Sequence, residues 1–282
     1  YKDPIFKNKN IYLCAKCNVY YVWPIPNSLQ LESYYKNTLE TSIGAKKASF
    51  LNQSFATMLA KVRVDYINKI VLEKTIKKKI NVLEIGPGYG HLSKQLISKY
   101  KIKDYDTIEF DNECHSQLNE YGINTYFSIE DINKDKKYDL IILSHVLEHI
   151  SNPTDFIFLL KNRLNYNSYI FIDVPCEDWK YKSIAEPHLF FFNKDSLKKI
   201  IDINRLQVID MSYVGEEIHL IRKPKNYFIN KILYKIEFII NFILIFFFNK
   251  RDNFTATEKI FIKKFKSNKV NIAKSRWIRT IA

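Results

Sequence analysis

At 282 residues, with 46% of them hydrophobic, the chain is long enough for one full α/β domain with extensions at both ends. Its net charge of +14 is lopsided: from Arg222 onward 15 lysines and arginines face three acids, Glu237, Asp252 and Glu258, so the first 221 residues carry only +2. A nearly neutral main part excludes a general nucleic-acid binder, and four cysteines, two of them in one C-x-x-C, exclude a secreted disulfide framework. With no signal peptide and no initiating methionine before Tyr1, the expectation is a cytoplasmic protein to which upstream residues belong.

Residues 1–45 form an N-terminal arm with the pair Cys14-x-x-Cys17, a Trp23-Pro24-Ile25-Pro26 turn and Tyr34-Tyr35. Trp23, Tyr34 and Tyr35 read as packing residues, with contact to a cofactor site by Tyr34 or Tyr35 as the alternative. Ala48 to Lys74 carries apolar residues at 51, 55, 58, 59, 62, 66 and 70, the spacing of a helix that would pack on a sheet. Val82 to Ile85 then reads as a strand that runs through Glu84 into Gly86-x-Gly88-x-Gly90, followed by a helix from His91 to Tyr100. Glycines at the carboxyl end of a buried strand let backbone amides approach a ligand closely; on the glycine pattern alone, an ordinary tight turn remains open. A dinucleotide fingerprint needs its third glycine at 91, where His91 stands, and no G-K-[ST] follows for a P-loop. Asp106 to Phe110 is a second strand ending in an acid, Glu109, 19 residues past Gly90. That spacing suits a carboxylate that accepts both hydroxyls of a ribose. Ile123 to Phe127 is a third strand leading to Ser128-Ile129-Glu130-Asp131. Tyr138 to Ser144 is a near-continuous apolar run, as a strand buried on both faces should be, and Ser168 to Val174 repeats it before Pro175.

From Asn81 to about Ile209 this order resembles the class I S-adenosylmethionine-dependent methyltransferases: Glu-x-Gly-x-Gly-x-Gly, then Asp-Leu-Ile-Ile-Leu-Ser-His-Val-Leu-Glu-His-Ile, then Phe-Ile-Asp-Val-Pro. It is most similar to the subfamily with a Leu-Glu-His motif after strand four, many of whose members modify sugars or small metabolites. The resemblance implies an α/β fold, a Rossmann-like seven-stranded methyltransferase sheet with helices on both faces, over residues 46–224. It implies S-adenosylmethionine held by Glu84, Gly86, Gly88, Gly90, Glu109, Phe110, Ile129, Glu130 and Ser144, with the adenine at the 128–131 turn. Leu164-Asn165-Tyr166-Asn167-Ser168 replaces the family's Leu-x-Pro-Gly-Gly turn, and asparagine tolerates the left-handed conformation such a turn needs. Relatives often carry a zinc unit with two C-x-x-C pairs at the arm. Cys14 and Cys17 supply half of such a site, the other half belonging to residues upstream of Tyr1, or else they stand as two unliganded thiols.

Ser144-His145-Val146-Leu147-Glu148-His149 falls where the methyl acceptor must lie. On a helical turn, His145, Glu148 and His149 share one face at i, i+3 and i+4, and His188 lies on the loop after strand five that returns over the same edge. Three readings follow. In the first, His145, Glu148, His149 and His188 hold a divalent ion, a pattern similar to the Glu-x-x-Glu-His of ubiquinone-type and small-RNA 2′-O-methyltransferases with His145 replacing the first Glu; three imidazoles favour Mn, Fe, Co or Zn over Mg. In the second, His145 or His149 is a metal-free general base and His188 positions the substrate. In the third, Glu148 and His149 only pin the turn. Cys176, Glu177, Asp178 and Trp179 are expected to line the acceptor pocket, with Trp179 stacking on a ring or packing.

Asn193 to Asn204 reads as a helix, and Leu206 to Tyr213 with Ile218 to Arg222, joined through Gly215, as the closing antiparallel hairpin; the alternative gives the last strand to Lys259 to Phe265. Residues 225–282 form a basic, partly amphipathic extension. Within it Tyr227 to Phe248 is apolar but interrupted by Lys231, Lys235, Glu237 and Asn241, and too short in its unbroken part for the ~20 residues that span a bilayer. Residues 227–251 therefore suit a helix at the inner face of a membrane, a homodimer contact, or a helix buried on its own domain. The function expected is O-methylation of a sugar, sugar nucleotide or other small hydroxylated metabolite, as in surface-polysaccharide synthesis. The alternatives are C- or N-methylation of a quinone or amine, and a non-catalytic S-adenosylmethionine-binding or membrane-tethering module.

Overall fold

The computed structural model describes residues 5–7, 9–27, 29–31, 33–35, 50–72, 79–178, 187–214 and 277–281. The apolar strands identified in the sequence assemble as β3 (Ile80–Ile85), β4 (Ile102–Ile108), β5 (Asn124–Tyr126), β6 (Tyr138–Ser144) and β7 (Leu164–Pro175), preceded by the arm strands β1 (Asn10–Leu13) and β2 (Tyr20–Trp23). Between and after them lie α1 (Phe50–Ile67), α2 (His91–Lys99), α3 (Asn112–Glu120), α4 (Pro153–Lys161), β8 (Phe190–Phe191), α5 (Lys194–Ile203), β9 (Asp210–Val214) and β10 (Trp277–Ile281). The large sheet runs β5-β4-β3-β6-β7-β10-β9. Its first five strands are parallel, and β10 is antiparallel to both β7 and β9.

Period-two alternation decides which side chains meet which helices. Val82, Leu140, Ile142 and Phe171 point to one face, where Ala60, Val64 and Ile67 of α1, Leu92 and Leu96 of α2, and Leu118 of α3 cover them. Leu83, Ile85, Ile141, Leu143, Ile170 and Ile172 point to the other, against Ile157 and Leu160 of α4 and Leu197, Ile200 and Ile201 of α5. Both faces are dry, so these strands read as continuous apolar runs. Three helix starts follow from their caps: Asp111 accepts from Glu113 N–H, Asn152 accepts from Asp155 N–H ahead of Pro153, and Asn193 forms a reciprocal capping box with Ser196.

Successive crossovers leave β3 toward β4 and leave β6 toward β7. The crevice at the carboxyl ends of β3 and β6 is therefore the switch point at which such sheets bind ligands. The arm belongs to this edge. Its strands β1 and β2 pair antiparallel with each other, and β2 pairs with β8 in a second, three-stranded sheet.

Two expectations require revision. The described strand that pairs with β9 is Trp277–Ile281; Ile218 to Arg222 and Lys259 to Phe265 lie outside the described residues. A hairpin partner was sought nearby because sequential strands usually pair, but here the partner arrives only after residues 215–276. The helix expected over 48–74 is α1 followed by a π-helical turn at Asn68–Leu72. Residues 227–251 and Trp179 also lie outside the described residues, and among the described ones no helix is long and apolar enough to cross a membrane.

Candidate active site

The β3–α2 loop is shaped by its glycines. Gly86, Gly88 and Gly90 have φ of +62°, +55° and +69°, a region that side chains with a Cβ enter only at a cost. A Cβ at Gly90 would stand 2.7 Å from Leu118 Cδ2, and one at Gly86 3.1 Å from Val146 Cγ2. At Gly88 it would meet nothing within 4 Å, so the middle of the loop borders open space. Glu109, at the end of β4, is buried and faces this loop: Oε2 accepts from Gly88 N–H at 2.8 Å and Oε1 from Asp111 N–H at 3.0 Å. Each oxygen keeps a lone pair for a further donor. Phe110 next to it is exposed, while Ile129 is buried in a short 3₁₀ turn that Ser128 and Asp131 cap reciprocally, with Glu130 exposed on it. Buried Arg163 fastens this turn from below through the carbonyls of Ile129 and Asn133, at 3.1 and 2.6 Å. Glu84 has a different occupation. Its Oε2 accepts from Ser93 and Tyr105 hydroxyls, each at 2.6 Å, and burial raises its carboxyl above the usual range despite those bonds.

Across the crevice, β6 ends at half-buried Ser144. His145 follows in the left-handed region with φ +59°, its N–H donating to the Asp173 carbonyl at 2.8 Å. The expected helical turn is a 3₁₀ turn, Leu147–His149, that begins beyond His145. His145 nonetheless keeps Nδ1 3.4 Å from Glu148 Oε1. Glu148 is 1% exposed; among the described residues neither carboxylate oxygen accepts a hydrogen bond, and His149 Nε2 stands 3.8 Å from Oε1. Burial alone would raise the Glu148 carboxyl, but contact with His145 and the charges of His149 and His188 outweigh it and hold it below the usual range. Burial pulls His149 down to about 4, so its imidazole is neutral near pH 7.

His188 arrives from the loop before β8 and meets His149 edge to face, ring centroids 4.9 Å apart. Its Nδ1 is 2.7 Å from Oδ2 of buried Asp178. Glu148, His149 and His188 each offer one ligand atom, all within 4.8 Å of one another, and among the described residues this is the group able to hold a metal ion. His145 is not of the trio. Cys14 and Cys17 come together on the β1–β2 turn as reduced thiols; the Cys17 hydrogen bond lowers the Cys14 thiol, whereas burial raises Cys17.

Tyr35, read from the sequence as a packing residue or a contact of the cofactor site, and three residues with no role foreseen, Asp173, Arg63 and Arg279, also lie here. Tyr35 packs edge to face on His149 at 6.1 Å, its hydroxyl buried without a hydrogen bond among the described residues, and burial pushes its pKa well up. Asp173 on β7 accepts Arg63 Nε of α1 at 2.6 Å and lies 3.3 Å from Arg279 Nε of β10. Burial opposes its ionisation, but the two guanidinium groups, Arg279 foremost, hold it below the usual carboxylate range. An acid inside the apolar run Ile170–Val174 was the available sign of this pair; Tyr35 left none beyond its aromatic character.

Residues 57–210, more than half of the chain, match the family described as methyltransferase domain. A ubiquinone biosynthesis O-methyltransferase of Rickettsia typhi is 30% identical over 117 residues, covering 39% of this chain and 48% of that protein. The chain thus spans about half the length of the curated relatives it matches. Among solved structures, the 1,6-didemethyltoxoflavin-N1-methyltransferase of Burkholderia thailandensis, bound to its substrate and S-adenosylhomocysteine, superposes with a TM-score of 0.51 at 11% identity, over 73% of this chain and 92% of that one. Coclaurine N-methyltransferase, bound to N-methylheliamine and S-adenosylhomocysteine, does so with a TM-score of 0.50 at 12% identity, over 78% and 71%. At such identities the likeness is one of fold. With the glycine loop, the acid at the end of β4 and the seven-stranded sheet in place, the matched span identifies the chain as a member of the methyltransferase-domain family.

Proposed function

We propose that this chain transfers a methyl group from S-adenosylmethionine to an oxygen of a small hydroxylated acceptor. The observation that carries this reading is the pairing, across one crevice, of a glycine loop bordering open space with a buried Glu148–His149–His188 group. The loop fits the cofactor: Glu109 has lone pairs for ribose hydroxyls, exposed Phe110 and buried Ile129 flank an adenine position, and Arg63 is a cation for the cofactor's carboxylate. Bound S-adenosylmethionine supplies an already activated methyl sulfonium, so the chain's work is alignment and removal of one proton. Without an ion on the histidines, His149, neutral near pH 7, is the group that accepts it, and His188 positions the acceptor.

The Glu148 oxygens without hydrogen bonds fit a divalent cation. Two imidazoles and a carboxylate suit a borderline metal such as Zn, Mn, Fe or Co, and three protein ligands leave positions open for acceptor oxygens. Such an ion would lower the acceptor's hydroxyl pKa. An O-methyl acceptor of ubiquinone biosynthesis, the role named for the Rickettsia relatives, a sugar and a sugar nucleotide all offer such an oxygen. The basic apolar segment 227–251 is proposed as a contact with the inner, anionic membrane face; salt-sensitive binding to anionic liposomes, lost on deletion of 227–251 with β10 kept, supports it, and indifference to both rejects it.

The test is release of S-adenosylhomocysteine from the full chain with catechols, pyranoses and sugar nucleotides. Turnover on a hydroxylated acceptor that falls at least about 100-fold in His149→Ala, with cofactor affinity kept, is the expected result. Methylation of amines alone, or failure to bind S-adenosylmethionine, refutes the reading.

A further inference from the structure

Asp178 has no part in the reaction as described, yet it is fully buried beside a histidine of the site. A carboxylate is taken out of water at a large cost unless something compensates it. Asp178 is rigidly presented. It follows Glu177, which has φ +42° and donates its N–H to the Phe192 carbonyl at 2.9 Å, and Cys176 bridges to Phe192. The ring it faces is fixed as firmly: Leu189 N–H, next to His188, donates to the Glu148 carbonyl at 2.8 Å, and the Leu189 carbonyl accepts from Val22 at 2.9 Å. The imidazole of His188 thus sits between two buried carboxylates, Asp178 at Nδ1 and Glu148 within the trio.

Nδ1 lies 2.7 Å from Asp178 Oδ2, an ion-pair contact without hydrogen-bond alignment, and Nε2 is the nitrogen left to turn toward Glu148 and His149. A carboxylate at one nitrogen fixes which tautomer the ring adopts and makes the other nitrogen a better electron-pair donor. We propose that Asp178 is a positioning residue: it holds His188 by Nδ1 so that Nε2 completes the Glu148–His149 pair as a ligand set for a divalent cation. This rests on the cation reading of the site given above. The effect proposed for Asp178 passes through its contact with His188.

The experiment is a titration of the full chain with Co(II), read by visible absorption, with Zn(II) competition to place the affinities. Wild type is expected to take one Co(II) with the spectrum of a low-coordinate nitrogen–oxygen site, and Glu148→Ala to take none. Asp178→Asn should bind about 10- to 100-fold more weakly, with a changed spectrum, and Asp178→Glu should restore most of the affinity. Far-UV circular dichroism and S-adenosylmethionine affinity, unchanged in each variant, separate this from unfolding. If wild type binds Co(II) and Asp178→Asn binds it equally well with the same spectrum, the positioning role is overturned while the cation reading stands. If wild type binds none, the cation reading falls and the role of Asp178 with it.

Discussion

Gly88 and Gly90 stand two residues apart, yet alanine at each should do different harm. At Gly90 the added carbon collides with Leu118 Cδ2 in a backbone with φ +69°, so Gly90→Ala should lower stability by about 2–3 kcal/mol, seen as a reduced urea midpoint. At Gly88 it enters open space in a backbone with φ +55°. Gly88→Ala should cost only about 1 kcal/mol while weakening S-adenosylmethionine binding more than Gly90→Ala does, measured by calorimetry. His149 gives a prediction in pH. Its folded imidazole stays neutral down to about 4, whereas in the unfolded chain it protonates near 6.5. Between these values the unfolded state binds more protons, so stability is full above the unfolded value and declines as pH falls toward the folded one. In chelator-treated protein His149→Gln should remove on the order of 2 kcal/mol of that decline, and an unaltered pH slope would contradict the assignment. The positions of Glu109, His149 and His188 at the crevice were legible in the sequence because few structural roles compete for an acid or imidazole near a strand's carboxyl end; their roles are those proposed above. Tyr35 was not, because an aromatic side chain in the arm serves a core equally well.

Among elements, Asp173 binds three that the chain order keeps apart: its own β7, α1 through Arg63 and β10 through Arg279. Removing it takes a buried carboxylate away from two guanidinium groups with little exposure. Asp173→Ala should therefore destabilise by about 3–5 kcal/mol in urea unfolding, and a loss under 1 kcal/mol would show the ion pairs to be solvated. The parallel strands and their helices were readable because a doubly covered strand has an unmistakable apolar run and each helix a periodic face. The closing strand was not. Trp277-Ile-Arg-Thr-Ile281 mixes polar and apolar residues over five positions, and what makes it a strand is a register with β7 and β9 set by residues far upstream. His145 shows the same limit on a smaller scale: helical spacing put it on one face with Glu148, and the left-handed backbone brought it there by another route.

For the whole molecule, the arm is best understood as a wall of the reaction site. Tyr35 stands over His149, and β2 joins β8 just beyond His188. Tyr35→Phe removes a hydroxyl that makes no hydrogen bond among the described residues, so stability and cofactor affinity should be unchanged or slightly raised; a fall in turnover alone would show that this hydroxyl reaches the acceptor, and equal turnover would reduce it to packing. The near-neutral first 221 residues and the strongly basic remainder also make the chain electrostatically two-sided, so cofactor binding should respond weakly to added salt. The amide of Leu189 is bonded to the Glu148 carbonyl, and the amide of Val22 to the Leu189 carbonyl. Only the first of these amides, read from Glu148 outward, lies wholly outside the arm. Lifting the arm to admit a bulky acceptor must release the Val22 bond and can leave that of Leu189 intact, so deuterium should enter at Val22 sooner than at Leu189, making the Val22 amide a clock for how often the arm leaves the histidines.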